Sequence, residues 1–498
     1  MTGRAAELKP TGEQEQIRDA YLAGGPLAVT AGAGTGKTST LVMLGEARQA
    51  RARYIAYNKS VAMEAERKFP RWVRCSTSHS LAYASAGARF RHRLDNKRHV
   101  PAKEVAKILG INDPVALPGG GKLSPVQVAR LAMETLQRFC YSADSEPSAA
   151  HVPFKKGLND PAVQLALREV LVPLARRAWG DACDPDGKLK YQHDWYIKWW
   201  QLSDPRIDAD VLFLDEAQDC NPVLEWVIAR QDAQVIAVGD SCQAIYGWRG
   251  ATDALDRLGG GNKLSLSQSF RFGPAIAAEA NKWLGLLDAD LRLSGTPSIP
   301  SRLAVAEAPA AILCRSNAGV MKQVIAEIGA GRKTAIPSPR PGVAGGGEIE
   351  RLAKAAISLK QGRGTDHPEL MAFQSWSEVR DYAENDPGGE DLLVLVELID
   401  EHTPEKILAM CAQLVEERYA AVVVSTAHKA KGREWESVQI ADFRKPRKAP
   451  DEDEAPPPSP EQMMLAYVAV TRAKVLLDRG PLSFVDEYLY QPAAGGAS

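Results

Sequence analysis

Apolar positions in this chain follow two alternating rhythms. Short apolar runs that end in turn-forming or polar residues read as strands buried on both faces. They are residues 26–31 (PLAVTA), 54–57 (YIAY), 211–214 (VLFL), 234–238 (QVIAV), 310–313 (AAIL) and 421–425 (AVVVS). Residues 74–76 and 475–477 predict two shorter strands. Helical spacing follows several of these runs, over 37–51, 60–68 and 461–472. Strand–turn–helix units in series predict parallel sheets with helices on their faces.

Two stretches break that rhythm. Between 83 and 204 the apolar spacing is helical, at 101–109, 125–139 and 161–179, ending in the aromatic segment 191–200 (YQHDWYIKWW). Residues 346–418 are again mostly helical, entered through a Gly-Pro hinge at 337–347. The expected organisation is therefore α/β, in two domains with a helical insertion each. The first comprises 1–82 and 205–262 around the insertion 83–204; the second comprises 263–345 and 419–490 around 346–418. Residues 448–460 (KAPDEDEAPPPSP) predict a disordered, solvated acidic loop.

Residues 31–38 (AGAGTGKT) lie between a predicted strand and helix, the context of a phosphate-binding loop. Backbone N–H groups of Ala33, Gly34, Thr35 and Gly36 can cradle phosphates. Lys37 can reach the β- and γ-phosphates, and the Thr38 hydroxyl can ligate Mg²⁺. The usual pattern opens with Gly where this chain has Ala31, while Gly32 and Gly34 keep the turn feasible. Residues 211–219 (VLFLDEAQD) deliver two carboxylates to the end of a buried strand. Asp215 can hold Mg²⁺ through water and Glu216 can accept a proton from an attacking water. Phosphoryl transfer also needs positive charge, for which Arg271 and Arg472 are candidates.

Composition narrows the reading only a little. The 498 residues carry 61 Lys and Arg against 62 Asp and Glu, so any nucleic-acid contact rests on local patches. One such patch is 89–93 (RFRHR) with Lys97, Arg98 and His99; it suits a duplex backbone, or is a solvated basic face. The Trp195–Trp200 cluster reads as core packing ahead of base stacking. Seven scattered cysteines with no C-x-x-C pair argue against zinc, iron–sulfur and disulfide frameworks, and fit a cytoplasmic setting. Neither a signal peptide nor a membrane span is expected.

Taken in order, the motifs resemble a superfamily 1 DNA helicase of the UvrD/Rep type. They are TGEQEQI (11–17), AGAGTGKT, YNK (57–59), TSHS (77–80), LDEAQD, VGDSCQAIYGWRGA (238–251), SQSFR, STAHKAKGREW (425–435) and YVAVTRA (467–473). HDWYIKWWQL (193–202) and His79-Ser80 are similar to the F-box DNA helicase branch, here expected without an F-box because the first motif opens at Thr11.

The resemblance implies two RecA-like P-loop motor domains with ATP bound in a cleft between them. It assigns Gln14 and Phe270 to adenine, Gln243 to γ-phosphate sensing, Arg271 and Arg472 to the γ-phosphate, and Glu434 to the ribose. It places Tyr57, Asn58, Thr77, His79, Tyr246, Trp248 and His428 along the DNA strand. ATP and Mg²⁺ are the implied cofactors. Implied partners are single-stranded DNA, its junctions with duplex, and recombinase, replication or repair proteins; a monomer off the membrane is expected. The implied activity is 3′→5′ translocation that unwinds duplex or displaces protein in repair or recombination. A translocase that only strips recombinase filaments, an RNA-acting helicase and a nucleotide-gated scaffold are the alternatives. Three departures stand out: Ser39 where many relatives carry Arg, Met464 at an often polar place, and a short second insertion.

Overall fold

The structure is a computed structural model. It describes residues 9–489 except 57, 97–99, 156–157, 246–252, 339–342, 368, 372, 386–389 and 447–455. Two units emerge, dividing between Ser267 and Gln268.

The first unit is built on six strands, β1 (Leu27–Ala31), β2 (Ala52–Ala56), β3 (Val73–Thr77), β4 (Val211–Leu214), β5 (Gln234–Gly239) and β6 (Lys263–Leu266). They lie in the order β3-β2-β4-β5-β1-β6, and every pairing is parallel. Strand β4 is buried at all four positions, as its unbroken apolar run requires of a strand covered on both faces. Ile17, Tyr21, Leu41, Leu44, Phe69 and Phe213 join β1, β2 and β5 in one core. Strand β6 is a correction to the expected boundary at 262/263. Its K-L-S-L alternation is too short to announce a strand, yet it pairs residue for residue with β1 at the sheet edge.

Between β3 and β4 the chain is helical, with the long helices Pro125–Tyr141 and Pro161–Cys183 packed together. Each starts where the sequence says it must: Ser124 and Asp160 cap the first-turn amides, and proline follows in the first turn. The aromatic helix His193–Leu202 buries Trp195 and Trp200, in keeping with core packing.

Besides a short parallel pair, Gln268–Ser269 with Ser294–Gly295, the second unit has a sheet of six strands, β7 (Arg302–Leu303), β8 (Ala311–Cys314), β9 (Thr334–Ala335), β10 (Val422–Thr426), β11 (Trp435–Ala441) and β12 (Ala473–Asp478). Their order is β7-β12-β11-β8-β10-β9, again wholly parallel. Strand β11 escaped the sequence reading because W-E-S-V-Q-I-A alternates polar and apolar residues, whereas its neighbours are continuous apolar runs. The helices Gly347–Lys360, Trp376–Asn385, Glu390–Glu401 and Pro404–Cys411 share a single core with this sheet: Ile349, Leu352, Leu395 and Ile407 lie in one cluster with Ile312, Val422 and Val424.

The basic segment 89–93 is divided: Arg89, Arg91 and His92 are exposed, whereas Phe90 and Arg93 turn inward. Phe90 is fully buried and stacks on Tyr191 at 4.5 Å. Arg93 is 6% exposed and donates to the Asp181 carboxylate at 2.8 Å and to the carbonyls of Asp181, Asp184 and Leu189. Arg89 lies over Trp199. Arg93 is a charged rivet inside the insertion and Phe90 is packing, while Arg89, Arg91 and His92 keep an exposed basic face. Lys97, Arg98 and His99 lie outside the described residues.

Candidate functional site

Strands β4, β5 and β1 are consecutive and parallel, so their C-terminal ends stand side by side. That edge is where open α/β sheets hold ligands. Beyond β1 the Thr35 hydroxyl donates to the Gly32 carbonyl at 2.9 Å, and the Gly32 amide donates to the Leu266 carbonyl at 3.2 Å. Gly34 and Gly36 take φ of 77° and 81°, a region in which a side chain is strained. Gly36 then serves as N-cap of the helix Lys37–Ala47 without a side chain to close it, the arrangement that leaves first-turn amides to an anion. Ala31 is harmless in the place of Gly because it is the last, fully buried residue of β1; the turn is made by the glycines beyond it.

Lys37 bridges to both carboxylate oxygens of Glu216, at 3.1 and 3.2 Å. Burial alone would lower the Lys37 ammonium, but Glu216, Asp240 and Asp215 outweigh it and hold it above the usual lysine range. Asp215, at the end of β4, accepts from the Tyr54 hydroxyl at 2.5 Å and from the Glu216 amide at 2.9 Å. Burial first, and the Glu216 charge second, push its carboxyl up to about 6 against the opposing pull of Lys37 and Tyr54. Glu216 sits at φ 54°, a left-handed backbone that non-glycine residues adopt only where the surroundings impose it.

Gln218, fully buried, donates from Nε2 to Glu216 Oε2 at 2.6 Å and accepts the Asp240 amide on Oε1 at 3.0 Å. Asp240, just past β5, accepts from the Gln243 side chain at 2.6 Å. Lys37, Asp215, Glu216 and Gln243 are thus brought together, with Thr38 one residue behind Lys37. Gln14 closes a capping box with Thr11, and its Nε2 donates to Thr40 on the Lys37 helix at 3.0 Å.

In the second unit the Arg271 Nε donates to Glu434 at 2.7 Å, and its Nη1 to the Thr471 carbonyl at 3.1 Å. Lys474 reaches Glu434 at 3.3 Å. Burial would raise the Glu434 carboxyl, but Arg271 and Lys474 hold it below the usual range. Arg472 is 1% exposed and anchored on Val468, Thr471 and Arg433. Phe270 is 46% exposed, an apolar ring left available to a flat partner.

Of the DNA-contact candidates of the first unit, Asn58, Thr77 and His79 border a groove of about 760 Å³, walled also by Met63, Tyr83 and Tyr196 among others. Asn58 caps the helix Lys59–Glu66 through the Val61 amide at 2.9 Å, and Thr77 caps the short helix Ser78–Ala82. Their side chains are thereby committed to capping. His79 pairs with Asp194 at 3.4 Å and sets its ring edge against His193 and Tyr196. A π-helical turn, Tyr83–Gly87, supports this wall, and a Cβ at Gly87 would collide with Tyr83 and press on Tyr196. His428 is half-buried in the second unit, its imidazole lowered by burial and then by Arg315. Tyr57, Tyr246 and Trp248 lie outside the described residues.

Residues 353–478 match the family described as the UvrD-like helicase C-terminal domain, and residues 14–249 match an AAA domain family. The chain belongs to the UvrD-like superfamily 1 helicases. It is 31% identical over 95% of its length to F-box DNA helicase 1 of Gallus gallus, and 30% identical over 93% to F-box DNA helicase protein 1 of Schizosaccharomyces pombe. Those alignments take in 49% and 56% of the two proteins, so the chain spans about half the length of the relatives it matches.

Motif reading of this UvrD-like chain gave no role to Tyr54, Gln218 or Asp240, although the last two lie inside the quoted motifs. It gave none to His193 or Tyr196 either, whose signal was the i, i+3 pair of ring-bearing residues in HDWY.

Proposed function

We propose that the chain is an ATP-driven, DNA-stimulated motor that moves on single-stranded DNA. The observation that carries this is the convergence of Lys37, Asp215, Glu216 and Gln243 where three parallel strands end. The backbone cradle of residues 32–36 receives the phosphates and Lys37 their charge. Glu216 takes the proton of the attacking water, and Arg271 and Arg472 supply positive charge as the γ-phosphoryl group leaves. Asp215 and the Thr38 hydroxyl fit Mg²⁺ by their chemistry. Among the described residues no three His, Cys, Asp or Glu side chains form a cage of their own. A nucleotide-borne Mg²⁺ does not need one, since it takes one or two carboxylates and completes its shell with phosphate and water. When bound, Mg²⁺ would neutralise developing phosphate charge. Chelation is accordingly expected to abolish turnover, with recovery on adding Mg²⁺ in excess.

For the DNA strand, the capped helix start at Lys59 offers backbone amides to phosphate, and the ringed wall of the groove offers faces and edges to bases. Replacing His79 with alanine is expected to weaken binding of a labelled oligothymidylate roughly tenfold, within the range for a stacked base. Anisotropy titration reads this, and an unchanged affinity would remove His79 from the strand's path.

The proposal as a whole is tested by ATPase rate with and without single-stranded DNA. Strong stimulation is expected, and its absence would sink the motor reading. Assays on 3′-tailed and 5′-tailed duplexes, and on protein-coated strands, then separate 3′→5′ unwinding from filament clearance. We favour unwinding, since both relatives are named DNA helicases; protein displacement, and a role in repair or recombination, are the further reading that these assays test.

A further inference from the structure

We propose that Gln218 is a positioning residue that aims the Glu216 carboxylate and ties it to the loop carrying Gln243. The inference rests on the ATPase reading above and adds a residue to it. Among the described residues, its left-handed backbone, Lys37 and Gln218 each constrain Glu216. They are not equivalent during turnover. Lys37 carries the ammonium that incoming phosphates claim, so its hold on Glu216 must slacken as nucleotide binds. Gln218 has no such competing duty. It is fully buried, with its carbonyl oxygen fixed by the Asp240 amide and its amide nitrogen 2.6 Å from Glu216 Oε2.

The donor is also chemically suited. A base must be oriented while keeping its affinity for a proton. A neutral amide N–H orients a carboxylate while stabilising the anion less than a full positive charge does. The same amide group spans two strand ends, since Gln218 follows β4 while Asp240 follows β5 and in turn accepts from Gln243. A shift in the Gln243 loop therefore pulls on the group that aims Glu216. Gly239 carries an independent trace of this arrangement. A Cβ there would lie 2.3 Å from Gln218 Oε1 and 3.2 Å from the Ala217 and Gln218 amide nitrogens, so a side chain at the last residue of β5 would displace the Gln218 amide group.

Gln218→Glu separates the two hydrogen bonds. Its carboxylate can still accept the Asp240 amide but cannot, when ionised, donate to Glu216. The expected result, at saturating single-stranded DNA, is a kcat loss of about 10- to 100-fold, the scale of an ångström-level misplacement. KM for ATP should stay within about threefold, because phosphate binding does not use Gln218. Gly239→Ala, which crowds the movable end of the Gln218 side chain, should lower kcat in the same sense, and it carries the test if Gln218→Glu does not fold. A kcat within about twofold of wild type in both variants would overturn the inference, as would KM rising in step with any fall in kcat. Wild type without ATPase activity would instead overturn the underlying reading, so the two failures are distinguishable.

Discussion

Replacing Lys37 with alanine is expected to reduce DNA-stimulated ATP turnover by at least about 100-fold, the scale seen when one preorganised electrostatic contact to the reacting group is removed. The structure adds a reason beyond phosphate contact. Lys37 is largely buried among Glu216, Asp215 and Asp240, and its ammonium opposes the rise that burial and the Glu216 charge impose on the Asp215 carboxyl. Without it, the neighbouring carboxylates at the end of β4 favour protonation of Asp215, which withdraws a metal ligand. Binding of single-stranded DNA without nucleotide should persist, because the groove at Asn58 and His79 is built from other elements. A coupled-enzyme ATPase assay beside anisotropy titration checks both halves. Full turnover by Lys37→Ala would end the assignment of residues 31–38 as the phosphate loop.

Arg93→Ala is expected to cost about 3 kcal/mol, the low end for a buried pair, because it strips the partner from a carboxylate that is only 16% exposed. The Asp181 carboxylate would keep only the Lys188 and Leu189 amides as hydrogen-bond donors from this cluster, and three carbonyls lose the guanidinium, although those of Asp181 and Asp184 keep the Asp184 and Gly187 amides. Chemical denaturation should show the loss as an earlier transition. Arg91→Ala is the internal control. Arg91 lies on the surface in an ion pair with Asp95, where such pairs contribute little. If the exposed Arg89, Arg91 and His92 face a duplex backbone, Arg91→Ala weakens duplex binding while leaving stability alone.

These two residues mark the boundary of what the sequence made legible. Lys37 was readable because a phosphate loop is a local object, with strand, glycines, lysine and helix following within a few residues. The same holds for Asp215 and Glu216 at the end of an apolar run. Arg93 was misread because its neighbours in sequence are basic, while its partners Asp181, Asp184 and Leu189 come from the far end of the insertion. Asn58 and Thr77 were found, but not the fact that capping occupies their side chains. Gln218 was overlooked for the same kind of reason. A glutamine in a quoted motif carries no signature of what it bridges, and only the adjacency of β4 and β5 puts Asp240 within its reach. Strands β6 and β11 were missed because both alternate polar and apolar residues.

The single core shared by the second sheet and the helices of 347–411 bears on how such chains diverge. Excising those helices would bare Ile312, Val422 and Val424 to water, so the segment cannot be lost or grafted as an independent module. A chimera that exchanges it for the counterpart of a relative should remain soluble only if the facing positions of β8 and β10 travel with it. Length variation here must then come from whole helices with matched sheet substitutions, not from free trimming.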